Sequence, residues 1–179
     1  EKTSIINLTG ATAGYADVNN WPLREGRFFT ADEERRRTAV CVLGTGPADL
    51  LFPHGGVLGQ RVRIGERSFL VLGVLTAKGK FLGQSMDDVA ILPLPAAARL
   101  WEYGDQIDYF TVRPTSPAAA ERARDEITEL LRRRRGVRAD QPDDFGITSQ
   151  EQLLELYERL TGAFYLVTIL LSSIGLLVG

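Results

Sequence analysis

The chain has 179 residues, of which 44% are hydrophobic and 25% are charged, and its formal net charge is −2. These values are typical of a folded globular domain and exclude a long disordered or low-complexity chain. Without a basic field, nucleic acid is a poor candidate partner. Cys41 is the only cysteine, which excludes an intrachain disulfide, and its strand-like surroundings predict a buried thiol that packs as a small hydrophobic side chain.

The first 95 residues carry the signals of short strands joined by tight turns. Residues 3–8 are β-prone, whereas residues 15–27 are predicted to be irregular because asparagine, proline and glycine interrupt them. Thr30 and Glu33 have the spacing of a capping box and predict a helix over residues 31–37. The elements predicted next are a strand at 39–43, a short helix at 47–52, a hairpin of 60–64 with 69–75, a glycine-containing loop at 77–88 and a strand at 89–92.

Residues 96–149 change in character and combine helices with strands. Apolar residues recur there at steps of three and four, which is typical of an amphipathic helix. The predicted elements are a helix at 96–101, a strand at 107–113, an amphipathic helix with Pro117 in its first turn and Gly136 at its end, and a strand at 144–148.

Residues 160–179 contain no charged side chain. A helix of this length can cross a hydrocarbon core of about 30 Å at about 1.5 Å per residue. Ser149 and Gln152 form a second capping-box pair, so we expect one helix from residue 150 to at least residue 179. A buried core helix of a soluble domain is the alternative. Because the chain begins without methionine and ends within the apolar run, we expect it to be part of a longer protein.

The motifs that could carry chemistry are weak. Gly44 and Gly46 follow a predicted strand and resemble the start of a dinucleotide-binding fingerprint. Asp49 occupies the position of the third glycine and Pro53 stops the helix, so a simple strand-to-helix turn is favoured. His54 is the only histidine and is predicted to lie exposed in a turn. We therefore predict no catalytic, cofactor-binding or metal-binding residue in this chain.

Three clusters of like charge also need an interpretation. Asp87 with Asp88, and Asp143 with Asp144, are interpreted as strand-end caps or surface charge, with a calcium site as the less favoured alternative. The four arginines at 132–135 are interpreted as a solvated helix end that offsets the helix dipole. Contact with acidic headgroups or with a partner is the alternative for the arginines.

One loop is a candidate contact surface because it combines cations with apolar side chains on a flexible stretch. Its predicted partner-binding residues are Lys78, Lys80, Phe81 and Leu82. The alternative is that this loop folds back onto the sheet.

Short motifs along the chain resemble a known family when taken in order: GRFFT at 26–30, AVCVLG at 39–44, LFP at 51–53, GQRVRI at 59–64, FLVLGVL at 69–75, KG at 78–79, DDVAILP at 87–93, LLR at 130–132, DF at 144–145 and IGLLVG at 174–179. This series is similar to the extracytoplasmic core domain of MacB-type ABC transporter permeases. The chain departs from the family at Cys41 and in its arginine-only run at 132–135.

The resemblance implies an α+β fold in which a β-rich subdomain is inserted into a porter-like βαβ subdomain. Residues 1–95 would form the β-rich, sabre-like subdomain. Residues 96–149 would form the second half of the porter-like subdomain. Residues 150–179 would form a stem helix that enters the membrane as a truncated transmembrane helix. The implied location is the cell (inner) membrane, with this domain on the extracytoplasmic, periplasmic side.

The resemblance also implies a function as a dimeric exporter permease that transmits ATP-driven motion to extrude substrate. ATP and Mg²⁺ would bind a separate ATPase domain or subunit, so the chain itself would be no enzyme and hold no cofactor. A periplasmic adaptor is a possible further partner. Mechanical coupling would run through Leu153, Leu156, Tyr157 and Leu160. The alternative is a membrane-tethered sensor or interaction domain without a transport role; a hydrolase is disfavoured by the single histidine.

Overall fold

The computed structural model describes residues 6–81, 83–100, 107–149, 152, 157–165 and 168–169. The chain divides into two compact units, Glu1–Arg113 and Pro114–Gly179. The division predicted from the sequence, into 1–95, 96–149 and 150–179, stays a prediction.

The described residues of the first unit contain eight strands and four short helices. The strands are β1 (Asn7–Ala11), β2 (Leu23–Gly26), β3 (Val40–Leu43), β4 (Arg61–Ile64), β5 (Arg67–Leu75), β6 (Lys80–Phe81), β7 (Gln84–Ser85) and β8 (Val89–Pro93). The helices are α1 (Tyr15–Val18), α2 (Ala31–Arg35), α3 (Thr45–Leu51) and α4 (Leu94–Ala97).

Six of these strands form one mixed sheet. Five of them follow the order β1-β8-β3-β5-β2, and the sixth, β4, also pairs with β5. The β1–β8 and β3–β5 pairs are parallel, and β8 runs antiparallel to β3. Strands β4 and β2 both lie along one edge of the long strand β5. β4 pairs with the first half of β5, and β2 pairs with its end. The remaining strands, β6 and β7, pair only with each other.

The central strands are apolar on both faces, and each face supports its own core cluster. In β3, Cys41 and Leu43 face one cluster while Val40 and Val42 face the other. The first cluster is covered by side chains of α3 and α4, and the second contains Trp21. This two-sided burial explains why β3 and β8 are continuous hydrophobic runs rather than alternating ones.

A register shift in β5 depends on Gly73. Phe69 and Val71 face the first cluster, but after the shift Val74 rather than residue 73 faces it. A β-carbon at Gly73 would lie 2.7 Å from the carbonyl oxygen of Arg27. Glycine is therefore required for the chain after β2 to approach β5 this closely.

The hairpin, the capping box and the two apolar strands predicted from the sequence are confirmed. β4 and β5 pair through a turn at residues 65–66, and Thr30 and Glu33 cap α2 reciprocally. The prediction that residues 15–27 are irregular was wrong, because they contain α1 and β2. β2 forms through pairing with β5, which local sequence does not reveal.

The second unit contains a 3₁₀ turn (Pro117–Ala119) that leads into α5 (Ala120–Arg135). Gly136 adopts the left-handed conformation after the helix, with φ of 69°, as predicted. Ser149 and Gln152 exchange the two capping-box hydrogen bonds, each of 3.2 Å, which confirms that prediction. Residues 157–165 are helical.

Two predicted strands are not strands in the structure. Residues 107–113 and 144–148 lack ladder pairing with any described residue. Their β-branched and aromatic side chains favour an extended backbone, but a strand also needs a neighbour that pairs with its backbone N–H and C=O groups.

The predicted stem and membrane helix fall largely outside the described residues, which there comprise only 152, 157–165 and 168–169. Within the described part of the chain, no helix combines the length and apolarity needed to span a bilayer.

Candidate functional site

The predicted contact loop forms a small hairpin, which we call the β6–β7 hairpin and define as residues 78–86. Lys80 pairs with Ser85 and Phe81 with Gln84, on a sheet separate from the main one. Lys80 is exposed, and so is Met86 near the base. Leu82 and the side chain of Phe81 lie outside the described residues.

The carboxylate of Asp87 closes the base of this hairpin. Its Oδ1 accepts a hydrogen bond of 2.6 Å from the backbone N–H of Lys78, and its Oδ2 accepts one of 3.0 Å from Gly79. The N–H of Met86 donates to the carbonyl of Gly79 at 2.9 Å. The interpretation of Asp87 as a strand-end cap is confirmed, and one side chain thus holds both ends of the hairpin together.

Lys78 is anchored to the body of the first unit, and its predicted role in partner binding stays a prediction. Its Nζ lies 4.2 Å from the ring centroid of Trp21 and 3.4 Å from the carbonyl oxygen of Asn19. Trp21 is buried and donates from its Nε1 to the carbonyl of Thr76 at 2.8 Å. Desolvation lowers the pKa of Lys78 from its ordinary value. Lys78 and Lys80 are both exposed cations of the hairpin, and Lys78 also contacts the body of the first unit.

The glycines that resemble a dinucleotide fingerprint have a packing role. A β-carbon at Gly44 would lie 2.1 Å from the carbonyl oxygen of Asp87, and one at Gly46 would lie 2.0 Å from Oδ1 of Asp88. The N–H of Gly44 donates to the carbonyl of Val89 at 2.7 Å. The turn before α3 thus packs against the segment that follows the β6–β7 hairpin, which supports the strand-to-helix interpretation.

The arginine run at the end of α5 is more than a solvated helix end. Arg132 pairs with Asp143, and Arg135 donates to Asp144 at 2.8 Å. Arg132 also donates to the carbonyl oxygens of Arg138 and Gln141, at 2.6 and 3.1 Å. Its hydrogen bond with Arg135 lowers the pKa of Asp144. The sequence offers no sign that the arginine run and the pair Asp143 with Asp144 meet. In the structure their ion pairs hold the segment after Gly136 against the helix.

Cys41 and His54 behave as predicted. The thiol of Cys41 is fully buried, and burial raises its pKa to about 12, so it packs as a hydrophobic group. His54 is exposed in the turn after α3. Among the described residues, no three histidine, cysteine, aspartate or glutamate side chains gather as metal ligands.

Of the predicted coupling residues, Tyr157 and Leu160 are described and lie on one helical segment. Both are half exposed, at 50% and 52%. Thr161 donates from its hydroxyl to the carbonyl of Tyr157 at 2.8 Å, which satisfies a polar group within the helix. Leu153 and Leu156 lie outside the described residues.

Two solved structures share the fold of this chain. The chain resembles the crystal structure of the periplasmic region of MacB from Actinobacillus actinomycetemcomitans, with a TM-score of 0.66 and 23% identity over 87% of this chain and 67% of that one. It also resembles the extracellular domain of the ABC-type transporter YknZ from Gram-positive bacteria, with a TM-score of 0.60 and 21% identity over 77% of this chain and 69% of that one. At these identities the likeness shows the fold.

Curated relatives agree with that likeness. The macrolide export ATP-binding/permease protein MacB of Rhodospirillum rubrum is 31% identical over 95% of this chain and 27% of its own length. The pyoverdine export ATP-binding/permease protein PvdT of Pseudomonas putida is 31% identical over 95% of this chain and 26% of its own. The chain thus spans about a quarter of the length of these relatives.

The model of the MacB-like periplasmic core domain matches residues 1–130. The chain belongs to the MacB-like periplasmic core domain family, and its α+β fold is the one expected from the resemblance.

Proposed function

We propose that this chain is the extracytoplasmic domain of an ABC exporter permease in the cell membrane. The observation that carries this proposal is the family match over residues 1–130, together with relatives that are named as export permeases. Deletion of the gene should raise the cellular accumulation of an exported compound, and complementation should reverse it. Macrolides and siderophores are the first compounds to measure, and unchanged accumulation of every compound in a broad panel would contradict the proposal.

The energy source would lie outside this chain. The relatives are ATP-binding/permease proteins of which the chain spans about a quarter, and the sequence has no Walker motif. ATP and Mg²⁺ would therefore bind a separate ATPase domain or subunit. The chain would contribute no catalytic residue and would act as one copy of a dimeric permease.

Motion would reach this domain through the helix that follows the capping box at Ser149. A capped helix start fixes where the rigid element begins, because the box satisfies backbone donors at its first turn. Leu153, Leu156, Tyr157 and Leu160 would form the apolar contacts through which movement passes to the domain.

The β6–β7 hairpin would contact a periplasmic adaptor. Asp87 and the Trp21–Lys78 contact hold its base in one arrangement, which lowers the entropy that a partner would have to remove on binding. Lys80, Phe81 and Leu82 would then meet the adaptor, while Lys78 would position the hairpin.

A photo-crosslinking amino acid at Lys80 of the full-length protein in cells tests this contact. We expect adducts with a periplasmic adaptor, identified by mass spectrometry. The matched control is the same substitution at Arg61, which is equally exposed on β4. Adducts of equal yield at both positions, or none at Lys80, would argue against the contact.

A membrane-tethered sensor or interaction domain is the second candidate function. The coding sequence after residue 179 separates the two. Three further membrane helices support the permease, and a cytoplasmic signalling domain would support the sensor.

A further inference from the structure

A cleft on the first unit combines an apolar floor with two arginines. It has a volume of about 470 Å³ and lies between β1, the β4–β5 turn and the residues after α4. The described residues that line it are Leu8, Ile64, Gly65, Glu66, Arg67, Arg99 and Leu100. This volume is in the range of small-molecule sites, about 300–1,000 Å³.

The floor of the cleft is the place where the first core cluster reaches the surface. Leu8, Ile64 and Leu100 are each partly buried, and all three pack against that cluster. Leu8 lies on β1, Ile64 on β4 and Leu100 in the turn after α4, so the main fold fixes their positions. An apolar group in the cleft would continue the packing of the core and remove this surface from water.

The two arginines at the cleft have no partner within the described part of the chain. The side chains of Arg67 and Arg99 are exposed, and among the described residues neither side chain makes an ion pair or a hydrogen bond. This contrasts with Arg24, Arg27, Arg132 and Arg135, which are all paired with carboxylates. Among the described lining residues Glu66 is the one carboxylate, so those residues together carry a net positive charge.

We propose that this cleft binds a small amphiphilic anion, with its carboxylate or phosphate head group on Arg67 and Arg99 and its apolar body on Leu8, Ile64 and Leu100. Guanidinium groups favour these head groups because their planar N–H donors match paired oxygens. The apolar floor excludes a fully hydrophilic anion as the preferred ligand. This proposal concerns binding alone and does not depend on the proposed function.

Titration calorimetry on the purified chain tests the proposal, with decanoate and decyl phosphate as the two ligands. Every sample contains the same uncharged carrier polymer. We expect at least one of the two to bind, and the pair to reveal which head group is preferred. Acetate and decanol should each bind at least about tenfold more weakly, because each lacks one half of the ligand. Equal affinity for acetate or for decanol would overturn the proposal.

Variants identify the site. Arg67→Gln and Arg99→Gln should each weaken binding about tenfold, which corresponds to the loss of one charge-assisted hydrogen bond. The matched control is Arg61→Gln on the same hairpin, which removes an equally exposed arginine that does not line the cleft. Unfolding midpoints should match the wild type, because these side chains are exposed. Binding that survives in the variant with both Arg67→Gln and Arg99→Gln would refute the assignment, and so would an equal loss in Arg61→Gln. Binding of an acidic peptide, without binding of decanoate or decyl phosphate, would also refute it.

Discussion

At the scale of single residues, a few side chains hold segments that are distant in sequence. Asp87 accepts two backbone hydrogen bonds at the base of the β6–β7 hairpin, and Trp21 holds both Lys78 and the carbonyl of Thr76. The sequence indicated this loop as a candidate contact surface because cations and apolar residues lie side by side there, and that role stays a prediction. The anchor of the loop could not be predicted, because Trp21 and Thr76 are 55 residues apart and meet only through the sheet.

Replacing Asp87 with alanine should loosen the hairpin without unfolding the domain. Two backbone donors lose their acceptor, and each such loss costs about 1–3 kcal/mol where water does not fully replace it. We expect amide hydrogen exchange of Lys78 and Gly79 to accelerate at least about tenfold. Asp17→Asn removes an exposed carboxylate elsewhere and should leave these amides unchanged. Unchanged exchange in Asp87→Ala would show that another contact holds the hairpin.

Glu33 should make the stability of the first unit depend on pH. The hydrogen bond from Arg27, together with those from Thr30, lowers the pKa of Glu33 from 4.5 to about 2. A lowered pKa in the folded state means that the stabilisation is present above about pH 4.5 and is lost as the pH falls through about 2. Because the pair is partly exposed, we expect Glu33→Gln to cost about 1–2 kcal/mol at pH 7.

Urea unfolding at several pH values tests this prediction for Glu33. The difference between wild type and Glu33→Gln should shrink as the pH is lowered from 5 to 2. Glu66→Gln, in an exposed turn, is the control and should show no such trend. A difference that stays constant with pH would assign the loss to packing rather than to charge.

At the scale of elements, local pattern and tertiary pairing each account for part of the fold. The β4–β5 hairpin could be predicted because alternation and the Gly65-Glu66 turn are both local signals. β2 was missed because its pairing partner lies about fifty residues further along the chain. The strand predicted at 107–113 was wrong because no described strand pairs with that segment. The elements that have local signals were thus predicted correctly. The errors concerned strands whose formation depends on pairing with distant segments.

A substitution at Gly73 should be costly because it would disturb the packing of β2 against β5. In Gly73→Val the β-carbon would approach the carbonyl oxygen of Arg27 at 2.7 Å and Cδ2 of Leu23 at 2.6 Å, so β2 and β5 would have to separate. We expect a loss of at least about 2–3 kcal/mol in unfolding free energy. The control is Gly14→Ala, because nothing lies within 4 Å of a β-carbon there. Equal stability of the two variants would show that β5 can shift its register to accept a side chain.

At the scale of the whole molecule, we propose that this chain is one domain of a larger exporter. It matches the MacB-like periplasmic core domain over residues 1–130 and spans about a quarter of its curated relatives. The first unit has a sheet that is buried on both faces and a hairpin with an anchored base, and the second unit has a capped helix start at Ser149.

The most direct test of this proposal is a flexible Gly-Ser-Gly-Ser insertion between Thr148 and Ser149 of the full-length exporter. The same insertion at Gly55, in the exposed turn after α3, is the control, since loop tips tolerate insertions. ATP hydrolysis would be measured on the purified protein, and export would be followed with the compound that accumulates in the deletion strain. If the helix from residue 150 transmits motion, the insertion before Ser149 leaves ATP hydrolysis intact and reduces export to the level of the deletion strain. Wild-type export from that variant would contradict mechanical transmission through this helix.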